Sequence, residues 1–491
     1  MPDQRLQSRF LALFLPEKWR NGTFAMLALA LVLASAVFAF TRLHQTYADQ
    51  ATAQSLPGDW STYMYNAGRS GYNQSETIIT RSVATHLKLH WTISSGGKIF
   101  SQPIVANGMI YWGSFDGYEH AANLSGQQIW QQNLGAATSC VPYNPLGVDS
   151  SATVATVPIN GQATSVVFVG GGDDHLYALN AATGAIIWRT PIGNPSTNTF
   201  IWDSPLVIDN SVYIGSATTG ESSGCKLIAG QFFKLDPSTG SIQNTFNSVP
   251  AGCVGGGIWS SPVYDASDDS IYFTGGTAGG CKKDVVSIGI VKLRASDLSF
   301  VSSWQIPLDQ RLTHDADFAG TPTLFTATIN GVQKSLVGAE DKNGVFYAFN
   351  RASLSSGPVW SVTIATAGPC PQCGNASISS AIWDGSNLYV ASSSTTINGV
   401  ACGGSVRSLD PANGNFIWQT CLKKTIIGPI SEIPGVLAVI QGGNGSSLIL
   451  LNTTTGAKLF THAGSFYGSP SISNGVLYAG STIGELYAFG K

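Results

Sequence analysis

Apolar and polar positions alternate in this chain at two scales. At the short scale, residues 167–188, VFVGGGDDHLYALNAATGAIIW, place an apolar strand (167–169) before a Gly/Asp turn. A second strand (175–179), a Thr-Gly hairpin and a third strand ending at Trp188 follow. Period-two apolar stretches of strand length, separated by Gly-containing turns, specify antiparallel meanders. The same order recurs in 111–130, 230–240, 406–418 and 477–490. At the long scale, Trp130, Trp188, Phe246, Trp304, Trp360 and Trp418 are spaced by 58, 58, 58, 56 and 58 residues. Steps of 39 from Trp91 and 42 to Phe460 flank the series. A period of that size marks a blade or solenoid unit. Nothing after residue 60 sustains the 3.6-residue apolar spacing of a long helix.

Eight units can be counted. The last begins at Ser469-Pro470 and reaches Lys491 without its Thr-Gly hairpin and Trp strand. A strand of the missing kind, HLKLHWTI (86–93), stands at the other end. The expected fold is therefore an all-β, eight-bladed β-propeller over 58–491, closed by its own amino-terminal strand. The recurrent Trp side chains then belong between neighbouring blades.

One segment breaks the β pattern. Residues 24–40, FAMLALALVLASAVFAF, are uncharged, and Arg5, Arg9, Lys18 and Arg20 precede them against only Asp3 and Glu17. That asymmetry predicts a cytoplasmic basic start (1–23), a transmembrane anchor or signal segment (24–41), a linker (42–57) and an extracytoplasmic propeller. Seventeen residues is short for a spanning helix and long for a signal core. An uncleaved single-pass anchor in the cell membrane is the main reading. Cleavage near Ala51-Thr52-Ala53, giving a secreted protein, is the alternative.

Composition narrows the function. The 491 residues carry 25 Lys+Arg and 28 Asp+Glu, a net charge of −3 and 11% charged residues, so no basic stripe for nucleic acid can form. With 43% hydrophobic residues the chain is not disordered. All eight cysteines follow residue 139, which suits an oxidising compartment. Their pairing is open, with Cys370–Cys373 and Cys402–Cys421 the easiest local closures. Cys370-Pro-Gln-Cys373 is followed by Gly374, not the His of a covalent haem site, and lacks the strand–helix setting of a thioredoxin-like centre. It reads as a structural disulfide. No nucleophile elbow or phosphate loop occurs.

The repeat text, strand–Gly–x–Leu-Tyr-Ala-Leu–x–Ala–x–Thr-Gly–x–x–x–Trp, resembles the pyrroloquinoline quinone (PQQ) repeat of quinoprotein dehydrogenases over about residues 58 to 490. The nearest resemblance is to polyvinyl-alcohol dehydrogenase-type members. It implies hydride transfer from a small or polymeric alcohol to PQQ, and a separate electron acceptor. VGGGIWSSPVYD (254–265) resembles the segment whose Trp underlies the cofactor, which makes Trp259 that platform. HDADFAG (314–320) resembles the catalytic-base motif, with Asp317 as base and Asp315 a neighbour able to perturb it. His314 beside it reads as structural. DKNGVFYAFN (341–350) resembles the segment that sets a cation, here Lys342, against the quinone oxygen. Glu221 stands near the family's Ca²⁺-binding Glu, but Gly276 replaces the Asn ligand. Propellers of this repeat also include non-catalytic extracytoplasmic binding and assembly scaffolds, and that alternative stays open here.

Overall fold

Each repeat folds into a sheet built on four successive antiparallel strands; among the described residues there are eight such sheets, one with an added fifth strand, and a separate two-stranded hairpin. The computed structural model describes residues 58–491 apart from 139, 141–142, 221–224, 282 and 444. Blade 1 runs through Ile104–Ala106, Met109–Gly113, Tyr118–Asn123 and Gln128–Asn133. Blades 2 to 7 repeat this order along the chain. Blade 8 has only Ser471–Ser473, Val476–Ala479 and Glu485–Gly490 from the carboxyl end. Lys88–Ser94 completes it, with Trp91 opposite Ala488. The ring is closed as the sequence predicts. The apolar run 24–40 lies outside the described residues, among which no helix is long and apolar enough to cross a membrane.

Burial follows position in the sheet. The first strand of blade 1 is buried throughout, whereas its fourth is mostly exposed and buries only Trp130. An inner strand is covered by neighbouring blades on both faces, while an outer strand leaves one edge in water. The recurrent Trp residues lie on the outer strands and latch each blade to the next. The indole N–H groups of Trp91, Trp130, Trp188, Trp360 and Trp418 donate to the carbonyls of Leu124, Ala181, Pro237, Pro411 and Thr453 at 2.9–3.1 Å. Each ring lies on the glycine of the neighbour's hairpin. At Gly184 (φ +72°) a Cβ would meet the Trp130 ring at 2.7 Å. The glycine is needed for its left-handed backbone and for the room it leaves.

Two devices hold the hub. A belt of hydroxyls links the starts of the inner strands. The N–H of Gln102 donates to Ser151 Oγ, Ser151 to Ser204, Ser204 to Ser261, Ser261 to Thr321 and Thr321 to Ser380, at 2.8–3.1 Å. The segment 60–73 then plugs the axis. It pairs through backbone with Val105, Val154, Tyr264, Trp383 and Glu432, residues of five different blades. Its fully buried Arg69 donates to the carbonyls of Pro262, Tyr63, Ser204 and Pro205 and to Thr62 Oγ1. Strand alternation puts the blade-to-blade connections and the second turn of each blade on one face. The plug enters from the other. All eight cysteines are paired, as Cys140–Cys225, Cys253–Cys281, Cys370–Cys373 and Cys402–Cys421.

Candidate functional site

The connections into blades 4 and 5 meet on the face opposite the plug. Trp259 ends the connection into blade 4, whose glycines let two loops approach closely. Gly256 N–H donates to Thr277 O and Gly276 N–H to Gly257 O, both at 2.8 Å. A Cβ on Gly255 would lie 2.4 Å from Gly279 N, so only glycine fits. The Cys253–Cys281 disulfide joins the same two loops covalently. Asp317 lies in the connection into blade 5, and Lys342 in that blade's second turn. Backbone pairing fixes them to each other, with Lys342 N–H donating to Asp317 O at 3.1 Å.

The side chains converge. Lys342 Nζ donates to Asp317 Oδ2 at 2.5 Å and to Asp315 Oδ1 at 2.7 Å, and lies 5.7 Å from the centre of the Trp259 ring. Thr277 donates to Asp317 Oδ1 through its N–H at 2.6 Å and its hydroxyl at 2.8 Å. The Lys342 and Asp317 side chains are only 7% and 8% exposed, whereas Asp315 is 35% exposed. Burial would raise the Asp317 carboxyl. The Lys342 charge and the hydrogen bonds around it outweigh that and hold it below its ordinary value. Burial, followed by the Asp317 charge, pushes Asp315 up to about 6. Burial disfavours the Lys342 ammonium, but the two carboxylates more than restore it, and it stays charged. The result is one ammonium held between two acids of opposite tendency.

Trp259 opens onto a cavity of about 280 Å³ on the axis. Aromatic rings line much of it. Phe100 and Tyr467 stack at 4.0 Å between centroids, and Lys98 Nζ lies 4.5 Å from the centre of the Tyr143 ring. Belt hydroxyls form the wall, and Tyr63 of the plug also lines the cavity. Burial pushes the Tyr63 hydroxyl up to about 12 and the Asp149 carboxyl up to about 7.

A planar quinone fits this arrangement. Trp259 presents a ring to the cavity, two lysines flank the aromatic walls, and hydroxyls offer hydrogen bonds. The Ca²⁺ expectation fits poorly. Glu221 lies outside the described residues. At Gly276 a Cβ would crowd Gly257 O, Asp317 Oδ1 and Trp259 Cδ1 at 3.0–3.3 Å, leaving little room for a ligating side chain. Among the described residues no group of three or more His, Cys, Asp or Glu side chains is placed to hold a metal ion. Motif reading missed Thr277, the hydroxyl belt and the Tyr63 plug. The recurrent Ser-Pro and Thr-Pro pairs at 204–205, 261–262, 321–322 and 469–470 carry the belt's signal.

A family model described as "Outer membrane protein assembly factor BamB", PQQ_2, matches residues 119–290 and 302–491. The quinohemoprotein alcohol dehydrogenase ADH IIB of Pseudomonas putida is 24% identical over 373 residues, covering 66% of this chain and 50% of that protein. The polyvinylalcohol dehydrogenase of Pseudomonas sp is 24% identical over 243 residues, 44% of this chain and 36% of the relative. The chain thus spans about half the length, or less, of these curated relatives. The crystal structure of quinohemoprotein alcohol dehydrogenase from Comamonas testosteroni superposes with a TM-score of 0.70 at 17% identity, covering 89% of this chain and 81% of that one. That likeness is one of fold.

Proposed function

Because the chain belongs to the PQQ_2 repeat family, we propose that it is an exported, membrane-anchored, PQQ-dependent alcohol dehydrogenase-like protein. The convergence of Asp317 and Lys342 on Trp259, which lines the axial cavity, carries this reading. PQQ, held against Trp259, would supply the two-electron acceptor for hydride leaving the alcohol carbon. The chain's own residues do the rest. Asp317, ionised and fixed by Thr277 and Lys342, takes the hydroxyl proton at Oδ2. Lys342 stabilises negative charge that develops above the Trp259 ring. Asp315, partly exposed, passes the proton toward solvent. A separate acceptor would take up the electrons. Four disulfides support placement in an oxidising compartment, and the 24–41 segment supports attachment to the membrane.

The test adds PQQ to the purified full-length chain and follows quinone absorbance and dye reduction with primary and secondary alcohols. Saturable binding and turnover are expected. Asp317→Asn should keep the cofactor and lose turnover by about 10²-fold or more. Absence of quinone binding rejects the enzyme. It favours the second reading, an extracytoplasmic binding or assembly scaffold, on whose side Gly276 stands.

A further inference from the structure

The neighbourhood of Gly276 carries an inference about the cation at this site, and it rests on the quinone reading above. We propose that the residues around Trp259 do not hold a divalent metal and that the Lys342 ammonium alone supplies the positive charge there. Three observations lead there. Lys342 Nζ bridges Asp317 Oδ2 and Asp315 Oδ1 at 2.5 and 2.7 Å, the two carboxylates that would otherwise be free to ligate. The other Asp317 oxygen is filled by the N–H and hydroxyl of Thr277 at 2.6 and 2.8 Å. The backbone at 276 offers no side chain, and the packing around it leaves little room for one. A hard divalent cation needs six or more oxygen ligands, a demand met by carboxylates, carbonyls and waters. Here the nearest carboxylate oxygens already face donors. The ammonium lies 5.7 Å from the centre of the Trp259 ring, where positive charge can face a ligand stacked on that ring. Lysine is also the cation suited to this task, because its compact charge serves two acids at once.

The experiment uses the purified full-length chain and has two readouts. In the first, PQQ is titrated by quenching of tryptophan fluorescence in EDTA and in millimolar Ca²⁺. The two affinities should agree within about twofold. A tenfold or larger gain from Ca²⁺ overturns the proposal while leaving the quinone reading intact. In the second, which needs no quinone, Tb³⁺ luminescence sensitised by tryptophan is compared in the wild-type chain, Lys342→Ala and Lys342→Ala/Asp317→Asn. Removing the ammonium should create a Tb³⁺ site that Ca²⁺ displaces, and the second substitution should remove it again. A Tb³⁺ site already present in the wild-type chain, or no gain in Lys342→Ala, overturns the proposal. If PQQ binds under neither condition, the enzyme reading fails and the Tb³⁺ arm alone judges Lys342.

Discussion

Replacing Lys342 by methionine separates the electrostatics of this site from its chemistry. Methionine keeps most of the side-chain volume and removes the charge. At 2.5 Å and an effective dielectric of about 20, the direct attraction between Lys342 and Asp317 is about 7 kcal/mol before desolvation is charged against it. Breaking a buried pair by removing one partner costs about 3–5 kcal/mol, because the remaining charge is left uncompensated. The dependence on pH is more diagnostic than the size. In the wild-type chain the Asp317 carboxyl lies below its ordinary value, so its stabilisation is present above the unfolded value and fades as pH falls. Without Lys342, burial is no longer offset by that charge, and the same carboxyl rises above its ordinary value. Its penalty is then absent at low pH and grows as pH rises through the new value. The variant's deficit should therefore be largest near pH 8 and shrink toward pH 4. For a body of this size, about 1 °C of melting temperature corresponds to 1 kcal/mol, so a deficit of about 3–5 °C at pH 8 is expected. Scanning calorimetry of both proteins from pH 4 to 8 measures it. A deficit that stays constant with pH would mean that Lys342 contributes packing alone, and the electrostatic account of the site would fall.

Two further outcomes follow from the same structure. With PQQ bound and an alcohol as substrate, the acid limb of kcat/KM should lie near pH 6, where Asp315 takes up a proton. Asp315→Asn should abolish that limb, and an unchanged pH profile would remove Asp315 from proton transfer. At the opposite face, Arg69→Ala strips five acceptors of their donor and should cost about 3–5 kcal/mol. Hydrogen exchange of amides 60–73 should then accelerate before that of the blades, and uniform acceleration would argue against a separately held plug.

The ring was legible because its signals are repeated. Each Thr-Gly hairpin and outer-strand Trp is a local pattern, and an interval near 58 residues makes a coincidence improbable. The closing strand could be read as well, since one unit lacked what the opposite end of the chain supplied. Trp259, Asp317 and Lys342 were recognisable by resemblance, and their meeting follows from strand alternation, which gathers blade connections and second turns on one face. Thr277 was not recognisable, because a single hydroxyl donor has no spacing to betray it. The plug was invisible for a related reason. Its buried Arg69 binds mainly backbone carbonyls brought together only by the finished ring, and a 14-residue stretch with no repeat of its own carries no signal of a plug. Asp149 escaped notice because an acid beside belt serines becomes unusual only once burial is known.

The pairing of Lys88–Ser94 with Glu485–Gly490 also constrains how the molecule comes into being. During synthesis, the strand made early must wait, its hydrogen-bonding edge bare, while nearly four hundred further residues emerge before its partner exists. Blades between them can form in order, but none can be sealed into a circle until Glu485–Gly490 arrives. A polypeptide shortened by its last strand would leave two open edges facing water, which invite pairing between molecules. Arrival of Glu485–Gly490 thus commits the whole body at once.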